Sequence, residues 1–197
     1  MKAKFLNDPK LVKVDGNFVI TLEPLVFQYA GGYISDVTIK AFLDSWRTGY
    51  ACEQPNFLSK EYLEALVEKY FPHQTVWVVP AGRVTDGPSV PWFLHWLINP
   101  NKFYYSGILH DWLRGFFITG NATTDGILRD AAHAEGMGGL KSYLIYLGVR
   151  IGTHIGYKCK VPDKNDVCRT YALARGLLRN DLVFDENNFE VRYNIQP

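Results

Sequence analysis

Apolar and polar positions follow a strand-like pattern early in the chain and a helical one later. LVKV (11–14) and FVITL (18–22) flank a DGN turn, and an AGGY turn joins LVFQY (25–29) to ISDVTIKAF (34–42). Runs rich in β-branched and aromatic residues, separated by glycine-bearing turns, predict two β-hairpins. SKEYLEALVEKYF (59–71) then places Leu63, Leu66, Val67 and Tyr70 at helical spacing, with Ser59 available as a cap and Pro72 just beyond the end. TVWVVP (75–80) returns to strand. Helical signals dominate from there: PWFLHWLI (91–98), KFYYSGILHDWLRGFF (102–117), TTDGILRDAAHAEG (123–136), LKSYLIYLGVRIGTHIG (140–156) and KNDVCRTYALARGLLRN (164–180). The tail from Leu182 to Pro197 reads as a hairpin laid back on the body.

This order predicts an α+β fold: an N-terminal β-hairpin platform, a helical core with a helical hairpin bearing an adjacent His and Asp, and a short C-terminal β addition. Residues 1–74 form a β-rich region with one helix, 75–157 the motif-bearing core, and 158–197 a C-terminal helix and β tail. Together they are expected to make one compact domain, since 197 residues suffice for a substantial core.

Composition narrows the class. The chain is 47% hydrophobic, 15% aromatic and 21% charged, with formal net charge +1, which excludes disordered and fibrous proteins and gives no footprint for a polyanion. Nucleic acid is therefore not an expected partner. Cys52, Cys159 and Cys168 are odd in number and lie outside the richest motifs, so a reduced, intracellular protein is expected. MKAKFLNDPKLVKVDGN has no apolar segment of the kind a signal peptide needs. YLIYLGVRIGTHIGY (143–157) is interrupted by Arg150 and His154, too short and too polar for a transmembrane segment, and reads as a buried helix.

The candidate chemistry lies in the core. His110 and Asp111 are adjacent on a predicted helix, so their side chains diverge by roughly 100° and can serve different partners. Asp125 follows a loop holding Gly120, Asn121 and Ala122, enough chain for an antiparallel helix to bring its carboxylate back to one nitrogen of His110. Such a bond fixes the tautomer and raises the basicity of the other nitrogen, making His110 a general base. Asp86 and Asp111 together would give a hard, oxygen-rich site that suits calcium better than zinc. Plainer readings stand beside these. Asp86 fits an Asx turn, and Asp125 fits a helix start capped by Thr123 or Thr124. Ser89 fits an N-cap ahead of Pro91 better than a nucleophile, having no G-x-S-x-G around it. Asp130 and His133, one turn apart, fit a solvated helix face better than a second metal site.

VWVVPAGRVTDGPSVPWF, YYSGILHDWL and TTDGIL, in that order over about residues 75–157, resemble an uncharacterised family of bacteriophage and prophage proteins. The shared pattern is T-D-G-x-S-V-P, an H-D helix, and a later helix opening on Asp. That pattern is in turn similar to the secreted bacterial and fungal phospholipase A2 enzymes. The resemblance implies Asp86, Gly87 and Asp111 as the calcium site, His110 as the residue that activates water, and Asp125 as the carboxylate behind it. Three positions depart from those enzymes: Pro88 stands where they carry a cysteine, Leu109 and not a cysteine precedes His110, and Arg114 stands where they favour tyrosine. A cation at 114 would repel a metal or hold an anionic head group.

The expectation is a phage-encoded, calcium-dependent ester hydrolase of phospholipase A2 type, acting on a lipid or another ester in the host cytoplasm or the virion. The alternative from another class is a virion or tail component that reuses the same hairpin for assembly and binds other virion proteins. Its aromatics, Trp92, Trp96, Tyr104, Tyr105 and Trp112, suit an interface. A third reading is a metal phosphohydrolase with His73 or His95 as a further ligand, which leaves the T-D-G loop unexplained.

Overall fold

The computed structural model describes residues 2–14, 18–29, 34, 36–44, 60–71, 75–85, 103–115, 120–154, 182–185 and 190–193. Its strands are β1 (Lys4–Phe5), β2 (Leu11–Val14), β3 (Phe18–Thr21), β4 (Leu25–Gln28), β5 (Val76–Val79), β6 (Val84–Thr85), β7 (Leu182–Asp185) and β8 (Glu190–Tyr193). Its helices are α1 (Asp36–Asp44), α2 (Lys60–Tyr70), α3 (Tyr104–Gly115), α4 (Asn121–Ala134) and α5 (Gly139–His154). This is the α+β arrangement the pattern implies, with antiparallel strands first and helices forming the later core.

The first hairpin forms as expected: β2 and β3 pair antiparallel, with Val14 opposite Phe18. The second does not. LVFQ becomes β4, which pairs with β1 and with β5, and DVTIKAFLD folds as α1. Val37, Thr38 and Ile39 give that segment strand propensity, but Thr38 and Phe42, one turn apart, are both buried, and tertiary packing outweighs the preference. Phe42 meets Phe71 at 5.0 Å and Trp112 at 5.9 Å between ring centroids, both edge-on. Among the described residues of the first 74 there are thus two helices, where one was expected.

All four residues of β5, VWVV, are buried. Successive side chains point to opposite faces of a sheet, so both faces of the β1-β4-β5 sheet are covered at this strand. The cluster around it draws Leu63 and Leu66 from α2, Ile108, Leu109, Trp112 and Leu113 from α3, and Ile127 and Ala131 from α4. Fully burying a side chain of this size contributes about 1.5–3 kcal/mol, so the α3 set alone is a large share of the stability of a small domain.

Beyond β5 the chain turns at Gly82, whose φ of 79° is open to glycine and costly for other residues. The turn carries the chain from the β1-β4-β5 sheet to the β2-β3-β6 sheet, where β6 pairs with β3. Thr21 secures the crossing: its hydroxyl donates to Pro80 O at 3.2 Å and accepts from Arg83 N at 2.9 Å. The Arg83 guanidinium lies 4.0 Å over the Trp112 ring, so the turn also rests on α3.

α3 and α4 run antiparallel, and a carboxylate at the end of one caps the start of the other. Glu135 accepts from Tyr105 N at 3.0 Å and from Ser106 N at 2.9 Å, satisfying two of the amides that a helix start leaves open. Burial pushes the Glu135 carboxyl above its ordinary value, a rise tempered by the hydrogen bonds from Ser106 and Tyr105. Tyr105 Oη also donates to Asp8, tying the start of α3 to the segment between β1 and β2.

α5 is not the buried helix expected. Leu140 is 74%, Tyr143 47% and Ile151 58% exposed, and Ser142 is buried instead. Its apolar content is high on every side, so composition could not tell which face meets α4. Among the described residues no helix is long and apolar enough to cross a membrane. β7 and β8 form the expected C-terminal hairpin, with Leu182 opposite Tyr193. The segments read as helices at 91–98 and 164–180, together with Ser59, His73, Ser89, His95 and the three cysteines, lie outside the described residues.

Candidate functional site

α3 buries Ile108, Leu109, Trp112 and Leu113, which leaves His110, Asp111 and Arg114 on the flank toward α4 and the end of β6. The apolar residues fix the rotation of the helix, and that rotation aims the polar ones. His110 is 12% exposed at its side chain, and its Nε2 lies 3.1 Å from Oδ1 of Asp125, which is fully buried on the first turns of α4. The predicted return of this carboxylate across the helical hairpin is thus present.

Asp125 does not serve the helix start. The N-cap is Gly120, with no side-chain cap bond, and the buried Thr124 Oγ1 has no hydrogen-bond partner among the described residues. The carboxylate instead gathers three donors. Besides His110 Nε2, Oδ1 accepts from Arg114 Nη1 at 3.4 Å, and Oδ2 accepts from Arg150 Nη1 at 3.5 Å. Arg114 thus stands behind the histidine, hydrogen-bonding the carboxylate that the ring contacts. Arg150 was missed by the sequence reading except as a charge that interrupts an apolar run. That was its signal, because a lone arginine in such a helix needs a partner.

A carboxylate only accepts hydrogen bonds, so in the neutral ring the Asp125 contact assigns the proton to Nε2 and leaves the lone pair on Nδ1. On that side stands Asp111, its Oδ1 3.7 Å from Nδ1, too far for a direct hydrogen bond. Asp111 Oδ2 accepts from Thr85 Oγ1 at 2.7 Å, so the end of β6 is fastened to α3 at the first residue of the T-D-G motif. Burial, the largest single influence, disfavours the imidazolium, but the carboxylates of Asp111 and Asp125 together outweigh it and raise His110 above the ordinary histidine value.

Of the predicted calcium set, Asp111 lies on α3 with its carboxylate toward the end of β6, whereas Asp86 and Gly87 lie outside the described residues. Among the described residues no group of three His, Cys, Asp or Glu side chains is arranged to hold a metal ion. The donor chemistry at Asp111 is hard oxygen, which fits calcium or magnesium rather than a thiophilic metal, and the described residues supply one carboxylate of such a set. Asp130 pairs with Arg129 at 2.6 Å and His133 Nδ1 bonds Met137 O at 2.8 Å, so each has an ordinary partner on a helix face.

The fold and site define an α+β protein whose helical hairpin carries a His-Asp pair backed by two arginines. Residues 63–149, from α2 into α5, match a family model described as a protein of unknown function (DUF1353). No curated protein and no solved structure matches the chain.

Proposed function

We propose that the chain is a phage-encoded, metal-dependent hydrolase of carboxylic esters, of phospholipase A2 type. The observation that carries this reading is the His110 Nε2 to Asp125 Oδ1 contact of 3.1 Å, with Nδ1 facing Asp111. Asp125 holds the ring in one tautomer and stabilises the charge that forms on it. His110 Nδ1 takes a proton from water on the Asp111 side as that water attacks the ester carbonyl, and returns it to the leaving alkoxide. Arg114 and Arg150 keep the Asp125 carboxylate oriented. Asp111, Asp86 and the Gly87 carbonyl are the residues to hold a calcium ion, which when bound would polarise the carbonyl and stabilise the oxyanion.

The test is calcium-dependent fatty acid release from phospholipid by the full chain and by H110A. The variant is expected to lose about 10²–10⁴-fold in rate, the usual contribution of a general base. Undiminished release by H110A would overturn the mechanism.

A second reading, a virion or tail component, is favoured by α5, whose Leu140, Tyr143 and Ile151 are exposed as at an interface. Presence of the protein in purified particles together with no affinity for calcium would support assembly over hydrolysis.

A further inference from the structure

The two edges of the His110 ring differ in charge. Toward Nδ1 stand Asp111 and the Thr85 hydroxyl, while toward Nε2 stand Asp125 and, on its two oxygens, Arg114 and Arg150. One guanidinium suffices to compensate a single buried carboxylate, and here two permanent cations share it with an imidazole. Both contacts are long for charge-assisted hydrogen bonds, which normally fall near 2.7–2.9 Å. Neither arginine is therefore drawn fully onto Asp125.

The arginines are also accessible. The side chain of Arg114 is 32% and that of Arg150 28% exposed, over a carboxylate that is 0% exposed. Arg150 uses one N–H of its fork on Asp125 and makes no other hydrogen bond to a described residue. The two arginines reach the site from different helices, α3 and α5, converging on α4 between them. A planar donor fork matches the oxygens of a phosphate or carboxylate, and two forks that share one anchor form a wider cradle of the same kind.

We propose that Arg114 and Arg150 form an anion subsite beside His110 that receives a phosphate-type group of the substrate. This deepens the hydrolase reading and rests on it for the statement that the anion belongs to a substrate: the ester cleaved would be an anionic one, with its phosphate on the arginine side of the ring and its carbonyl on the Asp111 side. The source of the phosphate is either a lipid head group or a soluble phosphate ester.

The experiment titrates the full chain with inorganic phosphate at constant ionic strength, balanced with chloride, and follows the imidazole resonances of His110 and His133 by NMR. A saturable shift of His110 but not of His133 is expected, with affinity at least tenfold weaker in R150Q and intermediate in R150K. No saturable shift at His110, or equal affinity in folded R150Q, would overturn the proposal. If R150Q does not fold, the wild-type titration still decides, because absence of binding refutes the subsite without any variant. Flotation with vesicles of phosphatidylglycerol or phosphatidylcholine separates the sources. Preference for phosphatidylglycerol, lost in R150Q, identifies a head group, whereas phosphate binding without vesicle preference identifies a soluble ester. Phosphate binding needs no turnover, so undiminished hydrolysis by H110A would remove the hydrolase mechanism and leave the subsite standing. Failure of phosphate to bind would do the reverse.

Discussion

Replacing Asp125 by asparagine changes the charge at the centre of the site while leaving its shape nearly intact. The carboxylate accepts from His110 and Arg114 on Oδ1 and from Arg150 on Oδ2. The amide offers one accepting oxygen. Set toward Oδ1, it keeps two of the three donors and turns its NH₂ against Arg150; set the other way, it keeps one. The first orientation wins, so the imidazole retains its tautomer and loses a charged partner. Removing one member of a buried ion pair costs about 3–5 kcal/mol, while exposed pairs contribute about 1 kcal/mol or less. Asp125 is fully buried but both arginines are about a third exposed and can be rehydrated, so D125N is expected to destabilise the fold by about 2–3 kcal/mol. Urea unfolding at neutral pH measures this directly. The same variant should lower the His110 titration midpoint seen by NMR, since two unbalanced guanidiniums then oppose the imidazolium. Adding R150Q removes the donor-donor clash and should restore about 1 kcal/mol in a double-mutant cycle. A D125N protein within about 0.5 kcal/mol of the wild type, with His110 titrating as before, would show that the carboxylate is not bonded as described.

Other perturbations address the supports of the site. His110 titrates above the ordinary histidine value of 6.5, so the folded state binds its proton more tightly than the unfolded chain. The stability it contributes is complete below pH 6.5 and is lost as pH rises through the raised value; the excess thermal stability of wild type over H110Q should therefore shrink as pH rises from the ordinary histidine value through the raised one, and a constant difference would refute the coupling. E135A strips the cap from two amides at the start of α3 and should cost about 1–2 kcal/mol in urea unfolding; no loss would mean that those amides find other partners. T85V keeps the shape of the side chain but not its hydroxyl, and should cost about 1 kcal/mol, the low end for a bond to a charged group, because Asp111 is partly exposed. An unchanged unfolding midpoint in T85V would detach β6 from α3.

The helical hairpin was legible in the sequence because its signals are local and repeated. Ile108, Leu109, Trp112 and Leu113 mark one face, Ile127 and Ala131 mark the other, and the loop between limits how α4 returns. That is why the pairing of His110 with Asp125, 15 residues apart, could be foreseen. α1 was not legible, since Val37, Thr38 and Ile39 favour a strand and only the burial of Phe42 among Phe71 and Trp112 settles the matter. Contacts of that kind depend on residues far away in the chain. The partners of Asp125 illustrate the same limit: Arg150 is 25 residues distant, on a helix whose apolar residues surround it on all sides. Nothing local to Arg150 gives the direction in which it points. Glu135 was likewise read as part of a helix end, and its service to the start of α3 appears only when the two helices lie side by side.

These observations bear on whether the polar cluster is glue for a scaffold or equipment for chemistry. The α3-α4 contact already has an apolar seam, with Ile108, Leu109, Ile127 and Ala131 fully or almost fully buried, and it has the Glu135 clasp at one end. Replacing a buried charged pair by apolar residues of similar volume is often neutral or stabilising, so adhesion alone gives little reason for an imidazole, a carboxylate and two guanidiniums at the other end. Glue would also be symmetrical in its demands: any well-satisfied set of partners would serve. The arrangement is instead directional. On the Nε2 side the ring, Arg114 and Arg150 each direct one donor to Asp125, and the opposite nitrogen is left facing a carboxylate held at 2.7 Å by Thr85, the first residue of the T-D-G motif. A ring anchored at one nitrogen and open at the other is what proton transfer to a substrate requires and what packing does not, which is why the hydrolytic reading is preferred to the scaffold.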